Sequence, residues 1–214
     1  MSFKHQRNNN NVTFSFVFDD FFVILQRYCY LPMIKQLWNL FRTKFHYHLT
    51  MEEKARMAGV TIGTHNMVTS AFWKPSEPYL IEIGSHCQIT DGVKIYTHGG
   101  AGAVRYINPR FDVFGKVVLG DYVYVGSNSI ICPGVRIGSH VLIAAGSVVT
   151  KSIPDNVVIG GNPAKFICTI EEFFQKNEQF NLNTKGLSLK EKKEVLLKTP
   201  EEKFVTKGFI KISH

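Results

Sequence analysis

The sequence predicts a mainly β protein wound as a parallel solenoid, and three observations lead there. Every sixth residue from Val113 onward is a branched aliphatic: Val113, Leu119, Val125, Ile131, Ile137, Ile143 and Val149. A small residue often follows it, as in Leu119-Gly120, Val125-Gly126, Ile137-Gly138 and Ile143-Ala144, while the fifth place holds Val123, Ser129, Val135, Val141 and Ser147. The same beat runs earlier through Ile83, Ile89 and Ile95, with a fainter copy near Ile62-Gly63. Neither the period of a helix nor the alternation of an ordinary strand gives a six-residue beat. Short strands joined by tight corners do, with the aliphatic pointing into the coil and the small residue letting the backbone turn.

Along the chain, residues 1–59 form an N-terminal segment, residues 60–166 the solenoid, and residues 167–214 a charged helical tail. The first 11 residues are polar and Asn-rich, and no secretory leader is expected. Residues 12–45 are rich in Phe, Tyr, Leu and Ile, but Asp19, Asp20, Arg27 and Lys35 interrupt them. No run approaches the roughly 18 apolar residues that suggest a bilayer span. The expectation is one or two amphipathic helices that pack on the first open coil, with weak contact to a membrane surface as the rival reading. In the tail, Thr169-Ile170-Glu171-Glu172 reads as a helix start, and Ser188 with Glu191 forms a capping-box signal ahead of residues 192–198.

The net charge of +8 admits anionic partners, but many lysines fall after Thr184, where a solvated helix face explains them. Nucleic acid is not expected, because no aromatic-interleaved basic motif or metal finger accompanies the charge. Cys29, Cys87, Cys132 and Cys168 show no CxxC spacing, as in a reduced, cytoplasmic chain.

The beat, together with Gly160-Gly161-Asn162-Pro163-Ala164-Lys165 at its end, resembles the hexapeptide-repeat acyltransferases. The resemblance implies a left-handed parallel β-helix with N-terminal helices and a short helical C-terminal tail; it also implies a short helix over residues 51–58. The left-handed sense comes from the resemblance alone, since parallel crossovers are otherwise right-handed.

The beat fails between Ile95 and Val113, and residues 99–112 read as a loop thrown out from a corner, where sites are commonly built. At its root stands Tyr96-Thr97-His98-Gly99-Gly100. This is similar to the catalytic histidine of the polysaccharide and capsule branch, which often reads His-Asp-Gly-Gly; here the Asp is missing. The maltose and galactoside acetyltransferases are further members of the resembled family. His98 is therefore the candidate general base. If the loop adds 12 residues, Asn128 lies one turn above His98 on the same corner, placed to stabilise an oxyanion, with Gly146 above it.

The resemblance places acetyl-CoA along the upper coils, against Ser127, Ala145, Thr150, Lys151 and Lys165. The lysines would meet its phosphates. Tyr96, Arg105 and Asp112, with Tyr106 and Arg110, are candidates for reading the acceptor. The reading is a direct-transfer O-acetyltransferase for a sugar or glycan precursor. By resemblance it is a homotrimer with sites shared between chains, and Tyr122 and Tyr124 are outward residues that such faces could bury. Amino-sugar, antibiotic or serine acceptors, or a non-catalytic binding solenoid, are the alternatives. No metal is expected: a zinc carbonic anhydrase on this scaffold needs three converging histidines, whereas His65, His86, His98 and His140 are widely spaced.

Overall fold

The branched aliphatics of the beat form strands of two or three residues that stack on equivalents in the coils above and below, so one chain winds three parallel sheets. The structure is a computed structural model describing residues 49–209. The expectation of helices within residues 12–45 lies outside the described residues. Apart from Leu49, those described belong to one compact unit, Thr50–His214.

The first sheet has the order β1 (Thr61–Ile62), β3 (Ile81–Ile83), β6 (Val117–Leu119), β9 (Arg136–Ile137). The second runs from β2 (Met67–Val68) through β4 (Gln88–Ile89), β7 (Tyr124–Val125) and β10 (Leu142–Ile143) to β12 (Val157–Gly160), and is closed by the antiparallel β13 (Lys165–Thr169). The third comprises β5 (Lys94–Ile95), β8 (Ile130–Ile131) and β11 (Val148–Val149). This is the hexapeptide left-handed β-helix, preceded by α1 (Met51–Met57) and followed by α2 (Ile170–Glu178) and α3 (Leu189–Lys198). All three helices start at capping boxes, Thr50 with Glu53, Thr169 with Glu172 and Ser188 with Glu191.

Ile83, Leu119, Ile137, Ile89, Val125, Ile143, Ile95, Ile131 and Val149 all point inward and are buried. The buried fifth-place hydroxyls are satisfied: Ser129 Oγ donates to Ala144 O at 3.1 Å, and the Ser147 amide donates to Ser129 Oγ at 3.3 Å. Val113, the first aliphatic of the longer run, is not part of this core. Its side chain is in the loop and the residue is 49 % exposed, because the chain rejoins the coil only at Gly115, ahead of β6 at Val117.

The corners correct one reason given for the small second-place residue. Backbone reversal occurs two places later, at residues with positive φ such as His86 (59°), Tyr122 (57°), Asn128 (60°) and His140 (56°). The second-place glycine is instead where neighbouring coils come closest: a Cβ on Gly126 would lie 2.4 Å from the Ala145 nitrogen.

Candidate active site

Two departures from the beat, one in each of two successive coils, meet at a single corner. In the upper of these coils the chain leaves after Thr97 and returns at Gly115, whose amide donates to Thr97 O at 2.7 Å. His98 and Phe114 face each other there as an isolated antiparallel bridge, with their rings 5.7 Å apart. The excursion carries a 3-10 turn at Ala101–Val104 and exposed side chains at Tyr106 and Ile107. Within it Arg105 donates to Phe111 O at 3.3 Å and lies 3.9 Å from Asp112, so these two acceptor candidates partner each other.

The coil below lacks a strand in the third sheet. Phe72 and Trp73, buried edge-to-face at 5.0 Å, fill that place instead. The segment then carries Ser76 and Glu77 up to the corner. Ser76 Oγ donates to Ile95 O and accepts from the Thr97 amide at 3.1 Å. The Glu77 amide donates to Thr97 Oγ1 at 3.1 Å, and that hydroxyl donates to Glu77 Oε2. The same oxygen lies 2.9 Å from His98 Nδ1. His98 is 42 % exposed at its side chain and Glu77 24 %. The Thr97 hydroxyl, and secondarily His98, hold the Glu77 carboxyl below the usual carboxylate range, against the opposing effect of burial.

Glu77 is the carboxylate that sequence reasoning missed. It arrives from 21 positions upstream rather than from the residue after the histidine. The available signal was the other break in the beat, over residues 69–80, which resembled the site-bearing loop in being aperiodic.

Asn128 is not brought to His98 within the chain. Strand pairs Ile83 with Leu119, Ile89 with Val125 and Ile95 with Ile131 are each one turn apart. The excursion therefore adds 18 residues to the normal turn, not the 12 assumed in the corner count. That difference moves the alignment by one corner. Asn128 stands over Gly92 between the second and third sheets, and its amide donates to Asp91 O at 3.0 Å. Continuing the pairing of β5 with β8 brings Gly134 to the level of His98.

Ser127 and Ala145 occupy adjacent coils on Asn128's corner, as the pairing of β7 with β10 requires. Thr150 and Lys151 lie on His98's corner two coils higher, a rise of about 10 Å. Lys165 opens β13. Both lysines are exposed and neither is in an ion pair among the described residues. Tyr96 is half-buried beneath β8, its amide bonded to Ile131 O at 2.9 Å. Tyr122 is stacked between His86 and His140 at 4.7 and 5.0 Å, and His65 extends this ladder at 5.0 Å from His86. Tyr122 and Tyr124 also line a cleft of about 440 Å³ with Phe173 and Phe174 of their own chain. Among the described residues no three His, Cys, Asp or Glu side chains converge as a metal site would need. No helix of the described residues is long and apolar enough to cross a membrane.

The profile of the family described as bacterial transferase hexapeptide (six repeats) matches residues 116–151. Protein CapG of Staphylococcus aureus is 47 % identical over 151 residues, which cover 68 % of this chain and 87 % of CapG. The putative acetyltransferase YvoF of Bacillus subtilis is 35 % identical over 99 residues, covering 46 % of this chain and about half, 54 %, of YvoF. Among solved structures, the hexapeptide-repeat acetyltransferase VCA0836 of Vibrio cholerae, complexed with acetyl coenzyme A, aligns at 27 % identity and a TM-score of 0.45 over 52 % of this chain and 60 % of that one. With the six-residue coils in place and CapG matched over most of its length, the chain belongs to the hexapeptide-repeat acetyltransferases, a family of enzymes.

Proposed function

We propose that the protein transfers an acetyl group from acetyl-CoA to a hydroxyl of a sugar or glycan precursor, with His98 as general base. The observation that carries this is the state of the imidazole. It stands half-exposed at the root of the excursion with Nδ1 held at Glu77, and Nε2 has no hydrogen-bond partner among the described residues. A neutral imidazole so held presents its lone pair outward, where it can accept the proton of an attacking hydroxyl.

The step needs no covalent enzyme intermediate. Nε2 takes the hydroxyl proton as the acceptor oxygen bonds to the thioester carbon, giving a tetrahedral oxyanion. The carbon–sulfur bond then breaks, the sulfur leaves with the electron pair, and the imidazolium returns the proton to it. Gly99 and Gly100 leave open space beside the ring for a bulky acceptor: a Cβ on either would meet nothing within 4 Å.

Acetyl-CoA fits the column of small residues Ser127 and Ala145, where a pantetheine arm could bond to backbone groups, with Lys151 and Lys165 available to its phosphates. Ser127 and Ala145 lie at one end of the third sheet and His98 at the other. This supports a homotrimer in which His98 of one chain works against the carrier column of the next, and Asn128 would join the oxyanion from there. The resemblance of Tyr96-Thr97-His98-Gly99-Gly100 to the polysaccharide and capsule branch supports a glycan-precursor acceptor.

A panel of sugar, amino-sugar, antibiotic and serine acceptors, incubated with acetyl-CoA and followed by thiol release, tests the reading. Release above the hydrolytic background with sugar hydroxyls is expected. Release with amines alone would overturn O-transfer.

A further inference from the structure

We propose that Glu77 is the positioning residue of this site, fixing the His98 ring with its proton on Nδ1 and its base electrons on Nε2, and that Thr97 in turn locks Glu77. The proposal rests on the reading of His98 as general base and deepens it.

The geometry separates this role from a mere tie between coils. Holding the two coils together at this corner is already accomplished by Ser76, which bonds to both Ile95 O and the Thr97 amide. Glu77 adds to this tie its own bonds to the Thr97 hydroxyl and, beyond any tie, a carboxylate aimed at the ring. Thr97 is fully buried, so its hydroxyl has no water to bond to and is committed to Glu77, accepting from its amide and donating to Oε2. Oε2 thus receives one donor that cannot leave and a second, Nδ1–H, from the histidine. An oxygen already bonded by a hydroxyl is a poorer proton acceptor. The imidazolium formed during transfer therefore keeps its Nδ1 proton, and the Nε2 proton remains the one delivered to the leaving sulfur. Among the described residues Glu77 is the ionisable group in hydrogen-bond contact with His98, and the Phe114 ring lies tilted to the imidazole with centroids 5.7 Å apart.

The consequence is a carboxylate–histidine pair assembled from two coils, in a sequence whose histidine is followed by glycine. The segment that skips a strand of the third sheet exists, on this view, to deliver it.

Kinetics of Glu77→Ala, Glu77→Gln and Thr97→Val test the proposal, with His98→Ala measured alongside. Glu77→Ala should lower kcat roughly 10- to 100-fold, the range seen for orienting partners of histidines at metal sites, while the KM for acetyl-CoA stays within about twofold. Losing the negative charge lowers the proton affinity of His98, so the acidic limb of the pH–rate profile should move to lower pH in both Glu77 variants. Thr97→Val should lose less and shift the limb less. An unshifted limb with wild-type kcat in Glu77→Ala would overturn the proposal while an inactive His98→Ala left the general base standing; an active His98→Ala would remove both. Nitrogen NMR of the wild-type imidazole supplies a readout independent of variant folding. A dominant Nδ1–H tautomer supports the proposal, and a dominant Nε2–H tautomer overturns it.

Discussion

The backbone of Ala145 passes so close over Gly126 that a Cβ on the glycine would sit 2.4 Å from the Ala145 nitrogen. Gly134 is the opposite case, with φ +80° and nothing within 4 Å of an added Cβ. Gly126→Ala must push two coils apart and should destabilise by about 1–3 kcal/mol, the cost of overpacking. Gly134→Ala meets only the left-handed backbone penalty, of order 1 kcal/mol. Urea unfolding of the two variants should rank them in that order, and equal midpoints would show that the coils can give way.

His98→Ala should reduce acetyl transfer roughly 100- to 10,000-fold, the usual worth of a positioned base. Carrier binding, read by thermal shift with acetyl-CoA, should be nearly intact. Retention of more than about a tenth of wild-type turnover would take His98 out of the mechanism.

The two lysines make a different kinetic signature. If Lys151 and Lys165 hold phosphates remote from the reacting carbon, Lys151→Ala and Lys165→Ala should each raise the KM for acetyl-CoA more than they lower turnover at saturation. Unchanged carrier affinity in both would place the nucleotide elsewhere on the coil.

Shared sites predict complementation. Mixing His98→Ala chains with chains in which Ser127 and Ala145 are enlarged should restore part of the turnover, because some interfaces of a mixed trimer combine an intact base with an intact carrier column. An active monomer in sedimentation at assay concentration would contradict the arrangement.

The solenoid was legible because its determinant is local and repeated: each buried aliphatic, from Ile83 to Val149, announces its own coil. The helices following Thr169 and Ser188 were legible for the same reason, since a capping box closes within four residues. What failed depended on length through an aperiodic stretch. Val113 keeps the beat by coincidence while lying in the loop, and assigning 12 rather than 18 extra residues to that loop put Asn128 on the wrong corner. Glu77 was invisible because no periodicity carries it to His98; only the path of the chain through the buried Phe72 and Trp73 does.

The ring ladder His65, His86, Tyr122 and His140 matters for a problem that the core leaves open. Because every sixth residue is an inward aliphatic, sliding one coil past another by a single hexad would still bury Ile, Leu or Val at each of those places. Hydrophobicity is therefore degenerate with respect to that error. The fourth places are not: one corner holds stacked rings at φ 56–62°, while the others hold Gly92, Asn128 and Gly146, or His98 and Gly134. A hexad slip would set an imidazole over a glycine and leave its face without a partner. The ladder thus marks one edge of the prism as different from the other two and penalises misthreaded windings that the aliphatics would accept.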